Sequence, residues 1–180
     1  MQIIFTAYIF SGGRSGMYKI VVGNWRNDAS GPMQVISGPM GKQKVHFEAP
    51  KADRLPSEMQ SFLEWFNSKT DTDLVIKAAV AHLWFITIHP FEDGNGRIAR
   101  ALTDMLLSQS DGNHQRFYSM SSQIREERKL YYSILEKTQK GDLDITSWFL
   151  WFLDCLFKAL QNSSSLFDRV LIKAEFWQKH

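Results

Sequence analysis

The stretch His89-Pro90-Phe91-Glu92-Asp93-Gly94-Asn95-Gly96-Arg97-Ile98-Ala99-Arg100 is the most informative part of the sequence. It lies between two apolar segments, 74–88 and 98–107, which are both expected to be helical. A histidine, two carboxylates, a glycine-rich turn and two arginines therefore lie in a loop that leads into a helix N-terminus. Main-chain N–H groups and the helix dipole both favour an anion at such a position.

The glycines and arginines of this loop predict a polyphosphate site. Gly94-Asn95-Gly96 allows successive N–H groups to converge on one anion. Arg97 and Arg100 have i, i+3 spacing, so both project from one face of the first helical turns. Two guanidinium groups beside such a turn match a di- or triphosphate better than a single phosphate.

The acidic residues and the histidine add chemistry to this site. Glu92 and Asp93 would repel a polyphosphate unless a cation bridged them, and Mg²⁺ is the usual bridge. His89 is the side chain of the stretch that is suited to proton transfer near neutral pH. Each residue also has a plainer interpretation, such as a helix cap for His89 or an Arg100–Asp104 pair. Their combination favours transfer from a nucleotide to a hydroxyl group.

The composition indicates a globular protein. The chain has 180 residues, of which 44% are hydrophobic and 13% aromatic, enough for one domain with a sizeable core. The net charge of +2 gives no argument for a nucleic-acid or membrane partner. Cys155 is the single cysteine, which excludes an internal disulfide, and we expect it to be buried. The chain start lacks the features of a signal peptide, so a cytoplasmic location is expected.

The periodicity predicts mainly helices, with one hairpin near the N-terminal side. Before the hairpin, we expect a strand over 1–10, a flexible stretch over 11–16, an extended 17–22 and a loop over 24–32. The hairpin is predicted over 34–48, and helices are predicted from Ser57, over 74–88, over 96–108, from Ser121 or Ser122 to about Lys140, over 145–160 and over 166–177. Asp71 or Asp73 is the expected cap of the 74–88 helix, Pro90 its end, and 162–165 an interruption between the last two helices.

The stretch 89–100 also resembles the signature of the Fic domain family, His-Pro-Phe-x-[Asp/Glu]-Gly-Asn-Gly-Arg-x-x-Arg, at every defined position. The resemblance extends over about 17–160 and includes 31–39 and 45–50. It implies a mainly α fold, a Fic-type helical bundle with a small β-hairpin flap. The expected organisation is an irregular segment 1–16 and a Fic domain 17–180, with a flap at about 33–48, a core at about 57–160 and a C-terminal helix 166–177.

The resemblance implies a protein adenylyltransferase, which transfers AMP from ATP to a Ser, Thr or Tyr hydroxyl of a target protein and releases pyrophosphate. His89 would be the general base and Asp93 the Mg²⁺ ligand. The residues implied for the phosphates are Gly94, Asn95 and Gly96 for the α- and β-phosphates, Arg97 for the β-phosphate and Arg100 for the γ-phosphate. Phe91 would anchor the loop in the core.

Residues outside the signature are implied by the same resemblance. Tyr131, Tyr132 and Gln139 fall where related proteins line the adenine and ribose pocket, although Gln139 replaces a commoner asparagine. The flap residues Val45, His46 and Phe47 would dock the target as an added strand. The alternatives are core packing for the tyrosines and an ordinary protective hairpin for the flap. His82, on the apolar central helix, is interpreted as a core histidine with a satisfied hydrogen bond.

Several alternatives stay open from the sequence alone. One alternative is an enzyme of the same type that transfers UMP, phosphocholine or phosphate instead of AMP. The other is a protein without enzymatic activity, an inactive nucleotide-binding or interaction remnant. The family's inhibitory pattern, [Ser/Thr]-x-x-x-Glu-[Gly/Asn], does not occur in the sequence. We therefore expect Arg100 to be available to a γ-phosphate, and a truncated product or an inhibitory partner in trans stays open. A homodimer is also left open.

Overall fold

The computed structural model describes residues 14–15, 18–19, 21, 23–39, 41–69, 71–112 and 116–179. The described chain is mainly helical, as predicted. The strands are β1 (Arg14–Ser15), β2 (Tyr18–Lys19), β3 (Gln34–Ser37) and β4 (Lys44–Glu48). The helices are α1 (Leu55–Asn67), α2 (Leu74–Ile88), α3 (Asn95–Asp111), α4 (Met120–Glu126), α5 (Arg128–Lys140) and α6 (Thr146–Lys179), and a 3-10 turn, Ala52–Arg54, precedes α1. The strand predicted over 1–10 lies outside the described residues.

Two short antiparallel hairpins are formed, β1 with β2 and β3 with β4. The second confirms the predicted hairpin, and its register runs from Gln34 opposite Glu48 to Ser37 opposite Lys44. Its turn requires glycine at Gly38, where φ is 102° and a Cβ atom would lie 2.6 Å from a main-chain oxygen.

Helix α1 begins at Leu55, so the prediction that Ser57 caps it is wrong. Pro56 occupies the first turn, where its fixed φ suits a helix and its missing N–H is not needed. Ser57 lies inside the helix instead, and its hydroxyl donates to the Arg54 carbonyl at 2.9 Å. The buried face of α1 includes Met59 and Phe62, which pack into the core of this part of the chain.

Helix α2 has the predicted bounds and is buried almost all round, which confirms it as the central helix. Asp73 is its N-cap and accepts hydrogen bonds from the N–H groups of Val75 at 2.8 Å and Ile76 at 3.4 Å. His82 is fully buried, and its Nδ1 lies 2.9 Å from the Thr103 hydroxyl on α3. His82 is therefore a core histidine with a hydrogen-bond partner, as predicted.

The chain divides into two compact units, 1–110 and 111–180. The first unit holds the hairpins, α1, α2 and nearly all of α3. The second unit holds α4, α5 and α6. The sequence-based division into a segment 1–16 and a domain 17–180 stays a prediction.

The prediction of one helix from Ser121 or Ser122 to Lys140 is wrong, because the structure has two helices there. Ser119 caps α4 and accepts from the Ser122 N–H at 3.1 Å. At Glu127 the main chain leaves helical geometry, with φ −95° and ψ 24°, and α5 starts at the next residue.

The predicted interruption at 162–165 and the separate helix over 166–177 are also wrong, since α6 is continuous from Thr146 to Lys179. Asparagine and serine lower helix propensity only moderately, and the segment has neither glycine nor proline. The Asn162 amide donates to the Gln123 side chain at 2.9 Å. With a partner on another helix, this amide does not compete for the main-chain bonds of its own helix.

Aromatic side chains form the core of the second unit. Trp148 and Phe152 are fully buried, and Tyr131 and Trp151 are nearly so. Cys155 is buried, as predicted, and burial is the largest cause that raises the pKa of its thiol to about 12. Within the part of the chain that the structure describes, no helix combines the length and apolar character needed to cross a membrane.

Candidate active site

His89 follows the last residue of α2 and has left-handed main-chain angles, φ 50° and ψ 57°. Among the described residues it is the one non-glycine residue with positive φ. Pro90 disfavours the helical region for the residue before it, which stops α2 at Ile88. The His89 N–H still donates to the Phe85 carbonyl at 3.1 Å, so His89 caps the helix as well as carrying the imidazole.

The imidazole of His89 has a defined proton position. Its Nδ1 lies 3.1 Å from the Ile86 carbonyl oxygen. Because a carbonyl only accepts, Nδ1 must carry the proton, and Nε2 is left as the basic nitrogen. Burial is the main cause that lowers the pKa of His89 below 6.5, and the charge of Arg26 adds to it, while the bond to Ile86 acts in the opposite direction. His89 is therefore neutral at pH 7 and able to accept a proton.

Asn95 locks the loop between His89 and α3. It is buried, its Oδ1 accepts from the Phe91 N–H at 3.0 Å, and its Nδ2 donates to the Phe91 carbonyl at 2.7 Å. Phe91 is itself buried, with its ring 6.4 Å from that of Phe85, in agreement with its expected role as an anchor. Both ends of the Asn95 side-chain amide are thus used inside the loop.

The N-terminus of α3 has the geometry of an anion site. Gly94 has φ 88°, and its carbonyl accepts the first helical hydrogen bond, from the Ile98 N–H at 3.0 Å. The N–H groups of Asn95, Gly96 and Arg97 come before that bond, and such groups have no acceptor within their own helix. They lie at the positive end of the helix dipole, which favours a bound anion.

Asp93 and Arg97 form an ion pair at this helix end. Asp93 Oδ2 lies 3.0 Å from an Arg97 guanidinium nitrogen, and Asp93 Oδ1 accepts from the Gly94 N–H at 2.7 Å. Both side chains are well exposed, at 43% for Asp93 and 57% for Arg97. An exposed pair of this kind contributes about 0–1 kcal/mol. It can therefore exchange for ligand contacts at little cost.

The donor set around Asp93 would suit Mg²⁺ that takes most of its other ligands from a bound anion and water. Glu92 is engaged elsewhere, since its carboxylate accepts from the Val21 N–H at 2.8 Å. No group of three or more His, Cys, Asp or Glu residues able to hold a metal ion occurs among the described residues. Mg²⁺ commonly binds through one or two carboxylates, with phosphate oxygens and waters completing its coordination. A single half-exposed carboxylate beside an anion site suits that mode.

The Arg100 side chain folds back over the first turn of α3. Its guanidinium nitrogen would lie 3.6 Å from a Cβ atom placed on Gly96. Its charge also contributes to lowering the pKa of His82 to about 3, after the larger effect of burial. The side chains of Asp93, Arg97 and Arg100 thus all lie at the N-terminal turns of α3, and their binding of phosphates and metal stays a prediction.

Arg26 is a residue of this site that the sequence did not reveal. It lies in the loop between β2 and β3 and is 3% exposed. Its Nε donates to the His89 carbonyl at 2.8 Å. Its partners are mostly main-chain carbonyls, which every residue has. Trp25-Arg26 within a polar loop carries no signal for such contacts, and neither composition nor spacing pointed to it.

The expected target-docking residues lie on β4. Val45 is 43% exposed, and His46 and Phe47 are half-buried. The His46 ring contacts the Ser37 hydroxyl on β3, a side-chain contact between the two paired strands. The hairpin thus presents an exposed apolar side chain at its surface, and target docking by this hairpin stays a prediction.

The expected adenine-pocket residues lie on α5, in the second unit. Tyr131 is buried and its ring lies 5.4 Å from that of Trp151, which matches the alternative of core packing. Tyr132 is 47% exposed, with the Arg128 guanidinium 5.6 Å from its ring centre. Gln139 is half-buried. The assignment of these three residues to a nucleotide pocket stays a prediction.

Comparison with known sequences points to one family. A family model described as Fic/DOC family matches residues 6–107. The chain is 36% identical over 104 residues to proteins named "Protein adenylyltransferase Fic" from Drosophila willistoni and Drosophila virilis. These alignments cover 57% of this chain and 19% and 20% of the respective relatives. The chain thus spans about a fifth of the length of the curated relatives that it matches.

Comparison with solved structures gives the same family. A Fic family protein from Desulfovibrio desulfuricans G20 is 26% identical with a TM-score of 0.70, over 91% of this chain and 46% of that chain. A Fic domain-containing signaling protein from Bacteroides thetaiotaomicron VPI-5482 is 28% identical with a TM-score of 0.62, over 81% of this chain and 55% of that chain. These likenesses agree with the predicted fold class.

Proposed function

The chain belongs to the Fic/DOC family, and from this premise we propose that it is a protein adenylyltransferase. Its substrates are then ATP and a protein with a Ser, Thr or Tyr hydroxyl group. The observation that carries the proposal is the single loop that joins His89, whose Nδ1 faces a carbonyl and leaves Nε2 basic, to the N-terminus of α3, whose first N–H groups suit an anion. The relatives named adenylyltransferases support the choice of AMP as the group transferred.

In the proposed reaction, the target hydroxyl oxygen forms a bond to the α-phosphorus of ATP. The bond from that phosphorus to the oxygen bridging to the β-phosphate breaks, and pyrophosphate leaves. The hydroxyl proton passes to Nε2 of His89, the nitrogen that its bond to Ile86 leaves without a proton. The lowered pKa of His89 keeps this nitrogen available at neutral pH, so the acid limb of the rate profile should lie below pH 6.5.

The N-terminus of α3 positions the phosphates in this proposal. The N–H groups of Asn95 and Gly96 and the guanidinium groups of Arg97 and Arg100 would bind the phosphate oxygens. Asp93 would hold Mg²⁺, which, when bound, neutralises charge on the leaving pyrophosphate. The Asp93–Arg97 pair would open as the nucleotide arrives, because each member then has an opposite charge to bind.

The test is transfer from labelled ATP in the presence of Mg²⁺, with the modified protein identified by its intact mass. His89→Ala should bind ATP as the parent does but lose about 10²–10⁴-fold in transfer rate, the usual contribution of a general base. Arg100→Ala should lose ATP affinity, whereas Arg54→Ala, at an exposed arginine on the 3-10 turn before α1, should retain it.

Three outcomes would contradict the proposal. Transfer by His89→Ala at the parental rate would remove the base assignment. With ATP as the donor, a mass gain of phosphate instead of AMP would change the group transferred, and so would transfer of UMP or phosphocholine when a donor of that group replaces ATP. A parent protein that binds ATP and Mg²⁺ but labels neither itself nor any protein of a native lysate would favour a nucleotide-binding module without transferase activity.

A further inference from the structure

Arg26 makes an unusual set of contacts for a loop residue. Its Nε donates to the His89 carbonyl at 2.8 Å, and one terminal nitrogen, Nη2, donates to the carbonyls of Pro50 and, at 3.5 Å, Ile88. Its own main-chain N–H donates to the Pro90 carbonyl at 2.9 Å. One buried residue therefore holds three consecutive carbonyls, those of Ile88, His89 and Pro90, at the end of the central helix.

The carbonyls of Ile88 and His89, at the end of α2, need such a partner for a physical reason. The last carbonyls of a helix have no N–H partner within it, and they form the negative end of the helix dipole. The Arg26 guanidinium meets them with a positive charge and several N–H groups in a fixed plane. Left-handed angles at a non-glycine residue such as His89 persist only where surrounding contacts enforce them.

The position of the Arg26 guanidinium is itself fixed. Asp28 Oδ1 lies 3.1 Å from one of its terminal nitrogens, and Asp28 Oδ2 accepts from the Ala52 N–H at 2.7 Å. The Asp28 carboxylate thus ties the arginine to the turn that precedes α1. Because Asp28 fixes the guanidinium, the carbonyls that Arg26 binds are also held in fixed positions.

We propose that Arg26 is the positioning residue of His89: by fixing the main chain at residues 88–90, it directs the Nε2 atom of His89 toward the reacting hydroxyl. The proposal rests on the transferase function, in which His89 is the base. The ring direction depends on two contacts, the Arg26 bond to the His89 carbonyl and the Nδ1 bond to Ile86. Without the Arg26 bond, the main chain at His89 is less fixed, and the Nδ1 bond to the Ile86 carbonyl depends on that main-chain conformation.

The test uses Arg26→Lys and Arg26→Gln, with Arg54→Lys as an exposed arginine control. The first readout is the His89 tautomer, followed by nitrogen NMR in the nucleotide-free protein. The parent and Arg54→Lys should show one tautomer with the proton on Nδ1, and the Arg26 variants should show a mixture. In transfer assays, both Arg26 variants should lose about 10²-fold in kcat, the order expected from a misplaced reacting group, with ATP affinity within about twofold of the parent.

A milder change covers the case in which the Arg26 variants fail to fold. Asp28→Asn keeps an acceptor for the Ala52 N–H but weakens the pairing with Arg26, so it should shift the tautomer ratio in the same direction. A single unchanged tautomer in a folded Arg26 or Asp28 variant would overturn the positioning role. So would a loss of transfer that only follows a loss of ATP affinity. If the parent itself transfers no AMP, the transferase function fails while the tautomer experiment still decides the positioning role.

Discussion

Gly94 and Gly96 flank Asn95 in the loop, and the structure gives the two glycines different reasons to be there. Gly94 has φ 88°, which an L-residue adopts at a cost of about 1–2 kcal/mol. Gly96 lies in the first turn of α3, and a Cβ atom there would make only an ordinary contact, 3.6 Å from the Arg100 guanidinium. One glycine is needed for the main-chain path, and the other leaves open space at the helix N-terminus.

We therefore expect Gly94→Ala to lower the free energy of unfolding by about 1–2 kcal/mol. Gly96→Ala should leave the free energy of unfolding unchanged or raise it by up to about 1 kcal/mol, because alanine is the better helix former. Urea unfolding of the two variants side by side measures the difference. Equal destabilisation would contradict the distinction. A stable Gly96→Ala protein with weakened ATP binding would place a phosphate against this turn.

At the residue scale, the sequence indicated the charged side chains at the start of α3 but did not reveal the contacts that Arg26 makes with the end of α2. Arg97 and Arg100 could be singled out because their spacing and the adjacent glycine turn are visible within a few residues of sequence. Arg26 could not, since the carbonyls that its side chain binds lie 24, 62 and 63 positions away along the chain. The role of the Asn95 side chain was also missed, because its partner is the main chain of Phe91.

At the scale of elements, the cap of α2 can be tested with a matched pair of aspartates. Asp73 accepts from two N–H groups of the first turn, and Asp71, two residues earlier, lies exposed before it. We expect Asp73→Ala to lower the free energy of unfolding by about 1 kcal/mol, the usual loss for an N-cap. Asp71→Ala should stay within about 0.5 kcal/mol of the parent. Urea unfolding measures both free energies. If Asp71→Ala were less stable than Asp73→Ala, Asp73 would not be the N-cap.

The continuity of α6 is tested at Ser164, an exposed position in the segment that the sequence suggested as an interruption. In a continuous helix, Ser164→Pro should lower the free energy of unfolding by about 3 kcal/mol, because proline removes a hydrogen bond and clashes with the preceding turn. Ser164→Ala should raise it by a few tenths of a kcal/mol, about the propensity difference. A proline that is tolerated here, as judged by chemical unfolding and helical circular dichroism, would instead support two helices.

Elements bounded by strong local signals were predicted well. Both ends of α2 are specified nearby, by Asp73 at its start and by Pro90 just beyond its end. The segment 162–165 gives a weaker signal, because serine and asparagine are compatible with either a turn or a helix. The Asn162 contact with Gln123 on another helix favours the helix, and a contact between residues so distant in sequence cannot be read from local composition.

At the scale of the molecule, His82 makes stability depend on pH. Burial lowers the pKa of His82 to about 3 in the folded protein, against 6.5 as its ordinary value. Between these values the unfolded chain binds a proton that the folded protein does not, so stability rises with pH. The contribution is complete above pH 6.5 and is lost as the pH falls toward about 3.

This dependence predicts a difference in slope between variants. His82→Asn keeps a side-chain N–H that can donate to Thr103 but removes the titrating ring. Between pH 6.5 and 4, its free energy of unfolding should fall less steeply than that of the parent, by up to about 1.4 kcal/mol per pH unit. Thr103→Ser, which keeps the histidine and its acceptor, is the control and should retain the parental slope. Parallel curves for His82→Asn and the parent would contradict the prediction.

The two hydrogen bonds between Asn95 and Phe91 also affect the chemical stability of Asn95 toward deamidation. In an unconstrained Asn-Gly pair, the glycine nitrogen attacks the asparagine side-chain carbonyl and expels ammonia, and water then opens the resulting cyclic imide to a carboxylate. In the folded protein the Asn95 amide is buried and held at both ends, and Gly96 is fixed in a helix, so the attack geometry is unavailable. Incubation followed by peptide mass analysis should therefore show slow deamidation at Asn95 in the folded protein and fast deamidation in urea. Conversion would place a carboxylate where the Phe91 carbonyl needs an N–H donor. We therefore expect an aged molecule to lose the conformation of this loop while the rest of the protein stays folded.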